Sequence, residues 1–143
     1  MRSLSFFYFC NHHKHTMQAK EFKVMVLGPR CGKTTFLRQV QGKPQRHTSH
    51  TVGANVTPYD FCLGGGKYRL HFWEVGSKYP GLGKQYGTGM DLAIIFGDGN
   101  DRRCYDKWVP ASVPCIYVHP YKLSDTQRIL QHAIRLLVIR SKL

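Results

Sequence analysis

The sequence predicts a single α/β domain built on a mostly parallel sheet, with one antiparallel hairpin strand and helices on both faces. Three observations carry this expectation. An apolar run, Phe22 to Leu27, feeds a glycine turn and then a helix-like stretch, Thr34 to Val40. Two strand-like runs, Val56 to Leu63 and Tyr68 to Trp73, flank Gly64-Gly65-Gly66. A further apolar run, Leu92 to Phe96, comes well ahead of an amphipathic stretch over Asp125 to Arg140.

Each element has a local reason. Val24, Met25, Val26 and Leu27 are continuously apolar, as a strand covered on both faces requires. Phe36, Leu37 and Val40 share one helical face, and Gly42-Lys43-Pro44 stops that helix. The three glycines at 64–66 supply the positive φ angles of a tight hairpin, which makes its two strands antiparallel neighbours. Ser77 to Gly89 is glycine-rich and predicts a loop or a frayed helix. Residues 101 to 110 form a candidate short helix, and Val113 to Val118 a further strand. In the clearest helix, Ile129, Leu130, Ala133, Ile134 and Leu137 line one face opposite Arg128, Gln131 and Arg135, with Ser124 or Asp125 as its cap. Residues 1–20 differ in character and are expected to form a flexible extension. Its Cys10 and His12, His13 and His15 are too close together to surround one metal ion unaided.

The chain has 143 residues, enough for one domain with a real core. No apolar run approaches the ~20 residues needed to span a bilayer. Twenty-one Lys and Arg against eight Asp and Glu give a net charge of +13, which favours anionic partners such as nucleotides or an acidic membrane surface. The charge is spread along the chain, which suits a solvated basic surface equally well. No zinc-ligand pairing or aromatic stacking box is present, so no specific nucleic acid partner is expected. Five scattered cysteines read as reduced thiols of a cytoplasmic protein.

The chemistry concentrates at Leu27-Gly28-Pro29-Arg30-Cys31-Gly32-Lys33-Thr34-Thr35. A strand, a glycine turn and a helix start in that order bring backbone N–H groups onto phosphate oxygens, with Lys33 reaching the outer phosphates and the Thr34 hydroxyl serving Mg²⁺. Gly28 and Gly32 are separated by three residues, where a phosphate loop has four. Two alignments stay open: a deletion within the loop, or a full-length loop with Leu27 at the first glycine position. Pro29 removes one N–H donor in either case.

The order of strand, phosphate loop, helix, loop with Thr51-Val52-Gly53, hairpin, Trp73-Glu74-Val75-Gly76 and buried strand resembles the Ras superfamily of small GTPases, most closely its Rab and Arf branches. Thr51 lies seventeen residues after Thr34 and Glu74 twenty-three after Thr51, spacings close to those of such proteins. The resemblance covers residues 21 to about 125. It implies a Ras-like P-loop NTPase fold over residues 21–143, without the usual final strand and helix. It also implies GTP or GDP with Mg²⁺ as ligands, and protein effectors that read the switch-like loops.

By that resemblance the nucleotide-binding residues are Gly28, Gly32, Lys33, Thr34, Thr35, Thr51, Ser77, Lys122 and Asp125, and the metal residues are Thr34, Thr51 and Glu74. The sequence departs from the family's pattern at several of them. Glu74 stands where an Asp supports Mg²⁺, one methylene longer. Ser77 takes the place of a glycine whose N–H meets the γ-phosphate. Lys78 takes that of the glutamine that positions the attacking water, and an ammonium has no acceptor for that task. Hydrolysis is therefore expected to be very slow or absent, and no catalytic residue is assigned. Tyr121-Lys122-Leu123-Ser124-Asp125 keeps the lysine of the guanine-reading Asn-Lys-x-Asp, puts Tyr at the Asn and brings its Asp one place late. Asp125 either reaches the base or caps the following helix. These residues support a Rab- or Ras-like GTP-binding switch or decoy in signalling or membrane traffic. The alternative is a nucleotide-free pseudo-GTPase scaffold.

Overall fold

The computed structural model describes residues 18–29, 32–44, 53–76, 85–98, 100, 105 and 107–142. Five strands make one sheet in the order β2-β3-β1-β4-β5: β1 (Lys20–Leu27), β2 (Ala54–Leu63), β3 (Gly66–Val75), β4 (Leu92–Phe96) and β5 (Cys115–Val118). β1 pairs in parallel with β3 and β4, β4 pairs in parallel with β5, and β2 alone runs antiparallel, against β3. The two full helices are α1 (Lys33–Val40) and α2 (Thr126–Ser141), the latter entered through a 3₁₀ turn at Leu123–Asp125.

The hairpin forms as its glycines dictate. Gly64 and Gly65 have φ of 57° and 79°, both left-handed, and Leu63 pairs with Gly66 across the turn. Both strands run two residues or so further than the apolar pattern predicts, because their ends are held by pairing: Ala54 faces Val75, and Gly76 donates to the Gly53 carbonyl at 2.8 Å. Gly42, at φ 68°, closes α1, and Arg38 secures the exit by donating to the Pro44 carbonyl at 3.0 and 2.7 Å.

Both full helices pack on one face of the sheet. Phe36, Leu37 and Val40 of α1 and Ile129, Leu130, Ala133, Ile134, Leu137 and Val138 of α2 meet Val24, Val26, Leu70, Phe72, Ile94 and Phe96 in one buried cluster. The opposite face is covered by Tyr86, Met90, Tyr105 and Trp108, of which Tyr86 and Tyr105 are helical, over Met25, Leu27, Ala93 and Ile95. β1 and β4 are apolar on both faces because each face has its own cover; Val24, Met25, Ile94 and Ile95 are all fully buried. Truncating Phe36 to Ala would cost about 3–5 kcal/mol, since its ring lies between Phe72 and Phe96 at 6.0 and 5.6 Å.

Two expectations are corrected. Asp125 holds the cap position of α2 but makes no capping bond; its carboxylate accepts from Arg128 at 3.1 Å instead. The five cysteines do not all read as reduced thiols: Cys62 is disulfide-bonded, while the Cys115 thiol donates to the Val113 carbonyl at 3.9 Å. No helix among the described residues is long and apolar enough to cross a membrane. The histidine cluster of the first fifteen residues, the loop 45–52 and residues 101–104 and 106 of the candidate helix at 101–110 lie outside the described residues.

Candidate nucleotide site

The site lies at the carboxyl ends of β1 and β3, where β1 turns into α1. Gly28 leaves β1 at φ 125° with its backbone pressed on β4: a Cβ there would stand 2.2 Å from the Phe96 carbonyl oxygen. No L side chain fits that position. Gly32, also at φ 125°, starts α1 without a side-chain cap and accepts from the Phe36 N–H at 2.7 Å. The chain thus turns sharply at both glycines, and α1 points its first backbone N–H groups towards the end of the sheet.

Lys33 and Thr34, the first residues of α1, are drawn inward. Lys33 is 7% exposed, and its ammonium donates to the Gly28 carbonyl across the loop. Thr34 Oγ1 donates to Glu74 Oε1, and Glu74 near the end of β3 is 4% exposed. Residues forty apart in sequence are therefore joined through a partly buried hydroxyl–carboxylate bond. Thr35 is half-buried beside them. An ammonium, a hydroxyl and a carboxylate gathered at the start of a helix suit an anionic ligand whose charge is shared with a hard cation.

Thr34 and Glu74 fit Mg²⁺ as oxygen donors. Magnesium characteristically takes one or two protein oxygens and completes its shell with phosphate and water. No group of three or more His, Cys, Asp or Glu that could hold a metal ion is gathered among the described residues. The extra methylene of Glu74 is taken up by direct contact with Thr34.

The predicted base-reading residues are arranged differently. Lys122 is exposed. Asp125 is half-buried and faces Arg128, and both line a recess of about 300 Å³ between β5 and α2 together with His119, Ile129 and His132. Tyr121, which sequence reasoning treats only as a lost asparagine, lies instead against the phosphate loop: a Cβ at Gly32 would be 2.8 Å from its ring. Tyr121 follows β5 by three residues, and nothing in the local sequence pattern relates it to Gly32. Thr51, Ser77 and Lys78 lie outside the described residues, as do Arg30 and Cys31 of the loop.

A mostly parallel sheet with a glycine turn, a buried lysine and a threonine at the first helix defines a phosphate-loop nucleotide-binding protein of the small GTPase class. Residues 9–106 match the model of the ADP-ribosylation factor (Arf) family. The chain belongs to the Arf family, within the Ras superfamily, and carries the GTP-binding switch domain of that class.

Proposed function

We propose that this protein is a guanine-nucleotide switch that takes GTP or GDP with Mg²⁺ and turns over slowly or not at all. The observation that supports it most is the gathering of buried Lys33 and Glu74 with half-buried Thr34 at the carboxyl end of the sheet. Lys33 would exchange its bond to the Gly28 carbonyl for the outer phosphates, while the N–H groups of Gly32 to Thr35 hold phosphate oxygens. Thr34, Thr51 and Glu74 would hold the ion, which neutralises phosphate charge when bound. Ser77 would offer its N–H to the γ-phosphate, and Lys122 would cover the base, with Asp125 as its polar partner. The slow hydrolysis follows from Lys78, which cannot orient a water as an acceptor.

Such a protein signals by persistence of its nucleotide state. Effectors would read the loops before β2 and after β3, and the net charge of +13 suits work at an acidic membrane surface, in signalling or membrane traffic. Titration of the purified protein with fluorescent GTP, GDP and ATP in Mg²⁺ tests the reading. Micromolar or tighter guanine binding, weakened about 100-fold or more by Lys33→Ala, is expected. A cooperatively folded protein that binds none of the three would overturn it.

One observation favours a second reading, a pseudo-GTPase scaffold without nucleotide. The Lys33 ammonium and the Thr34 hydroxyl both have partners within the protein, so these two side chains are satisfied with no ligand. Partner binding indifferent to GTP would support the scaffold; binding that changes with GTP would exclude it.

A further inference from the structure

Tyr121 connects parts of the molecule that the sequence separates widely. Its ring lies against Gly32, where even a methyl group would come within 2.8 Å of it. The same ring meets Phe36 of α1 edge to face at 6.2 Å and Phe96 of β4 at 5.5 Å. Its hydroxyl is hydrogen-bonded to Thr126 Oγ1 at 2.5 Å, and Thr126, in the first turn of α2, is 3% exposed. One side chain therefore touches the loop, the helix that follows it, the strand beneath it and the start of the last helix.

The loop needs such support. Gly32 has φ of 125° and no side chain of its own to fix that conformation, and no side chain caps α1 there. Glycine loses more conformational freedom on ordering than any other residue, so an unsupported Gly32 would let Lys33 and Thr34 wander. Burial pushes the Tyr121 phenol above its ordinary pKa, with the Thr126 bond opposing and the Asp125 charge adding to the rise. The hydroxyl keeps its proton near neutral pH.

We propose that Tyr121 is a positioning residue for the phosphate loop: a strut that holds Gly32, and through it Lys33 and Thr34, and ties their arrangement to the first turn of α2. In this chain the position after β5 serves by packing and by an anchored hydroxyl, not by reading the base. The strut takes its ligand from the nucleotide reading above, but its geometry stands without it. Two consequences follow. Loosening the anchor at Thr126 must loosen the loop, and filling the loop must quiet the start of α2.

The test uses the full chain with Tyr121→Phe, Thr126→Val and the double variant. Each removes the hydroxyl bond while keeping ring and shape. GDP affinity in Mg²⁺ is measured by fluorescence titration, and hydrogen exchange is followed over residues 32–40 and 126–134, with β1 and β4 as internal references. Each single variant is expected to weaken GDP about fivefold, and the double to be no weaker than either single, since both break one bond. Exchange at 32–40 is expected to rise several-fold relative to β1 and β4 without ligand. GDP is expected to slow exchange at 126–134 in the wild type and not in the variants. A merely structural role would raise exchange everywhere and leave that pattern intact, which overturns the strut, as does wild-type behaviour in both single variants. Failure of the wild type to bind GDP removes the nucleotide reading alone. The ligand-free exchange at 32–40 then decides the strut, faster in the variants if it holds and unchanged if it does not.

Discussion

The polar groups at the phosphate loop and those on the rim of the sheet live under different physics. At the loop, Lys33 and Glu74 are 7% and 4% exposed, and each polar group meets its partner away from water. On the rim, Arg69 and Asp60 pair with 43% and 61% of their side chains in solvent, and Arg128, 79% exposed, pairs with a half-buried Asp125. Breaking a buried polar pair costs several kcal/mol, because the surviving group is stranded in a poor solvent, whereas an exposed pair is worth about 0–1 kcal/mol. Departures from the family pattern divide along the same line. The buried change, Glu74, is matched by a direct bond to Thr34, while at the base-reading stretch Lys122 is exposed and Asp125 is paired with a largely solvated arginine.

The sharpest way to break this contrast is at Gly28. Gly28→Ala would place a methyl carbon 2.2 Å from the Phe96 carbonyl oxygen in a backbone conformation that alanine disfavours. β1 and β4 are the centre of the sheet and cannot separate cheaply. We expect a loss of at least ~3 kcal/mol in urea unfolding, or no folded protein. A variant as stable as the wild type would show that the loop end yields as readily as the rim.

Next in size is Glu74→Ala, which leaves the half-buried Thr34 hydroxyl without its carboxylate. Unfolding free energy should fall by about 1–3 kcal/mol. The Mg²⁺ dependence of nucleotide binding should fall with it, read by repeating the titration in Mg²⁺ and in EDTA. Glu74→Asp separates the two effects: it keeps the charge near the ion and shortens the reach to Thr34, so metal dependence should survive better than stability.

The same division explains what the sequence discloses. β1, β4 and the apolar stripe of α2 are legible because burial on both faces, or on one helical face, leaves a periodic trace. Gly64-Gly65 announces the hairpin, and Gly32-Lys33-Thr34 announces the loop, because local backbone geometry demands those residue types. Tyr121 against Gly32 is not legible: the two lie far apart in sequence, and no period relates them. Nor is the choice of Asp125 between capping α2 and pairing with Arg128, where two weak interactions of similar size compete and the exposed arginine wins. The packing of α2 beside α1 on one face likewise depends on which face of the sheet the crossover takes, and the stripe alone does not say.

On the rim the expected effects shrink. Asp125→Asn removes the partner of Arg128, a side chain 79% exposed, so stability should change by no more than ~0.5 kcal/mol. The titration with GTP sharpens the comparison further. A change of less than about threefold would place Asp125 with the rim pairs, and a loss of tenfold or more would make it a base-reading group that belongs with the loop.

The smallest effect is expected at Asp60. Its carboxylate accepts from Arg69 Nε at 2.6 Å and from Nη2 at 3.0 Å, and that bonding holds its pKa below the ordinary value, opposed by burial and helped further by the Arg69 and His71 charges. A carboxylate whose pKa is depressed on folding adds stability that is complete above its unfolded pKa of about 3.9 and is lost as pH falls through the folded value. Because Asp60 and Arg69 are 61% and 43% exposed, solvent screens the pair and its contribution stays below about 1 kcal/mol. Unfolding of the wild type and Asp60→Asn should therefore differ by less than ~1 kcal/mol at pH 6 and converge at pH values below the folded pKa of Asp60. A difference above about 2 kcal/mol at pH 6, or one that persists in acid, would mean that this exposed pair behaves like the buried contacts at the loop, and the contrast between the two regions would fail at its weakest point.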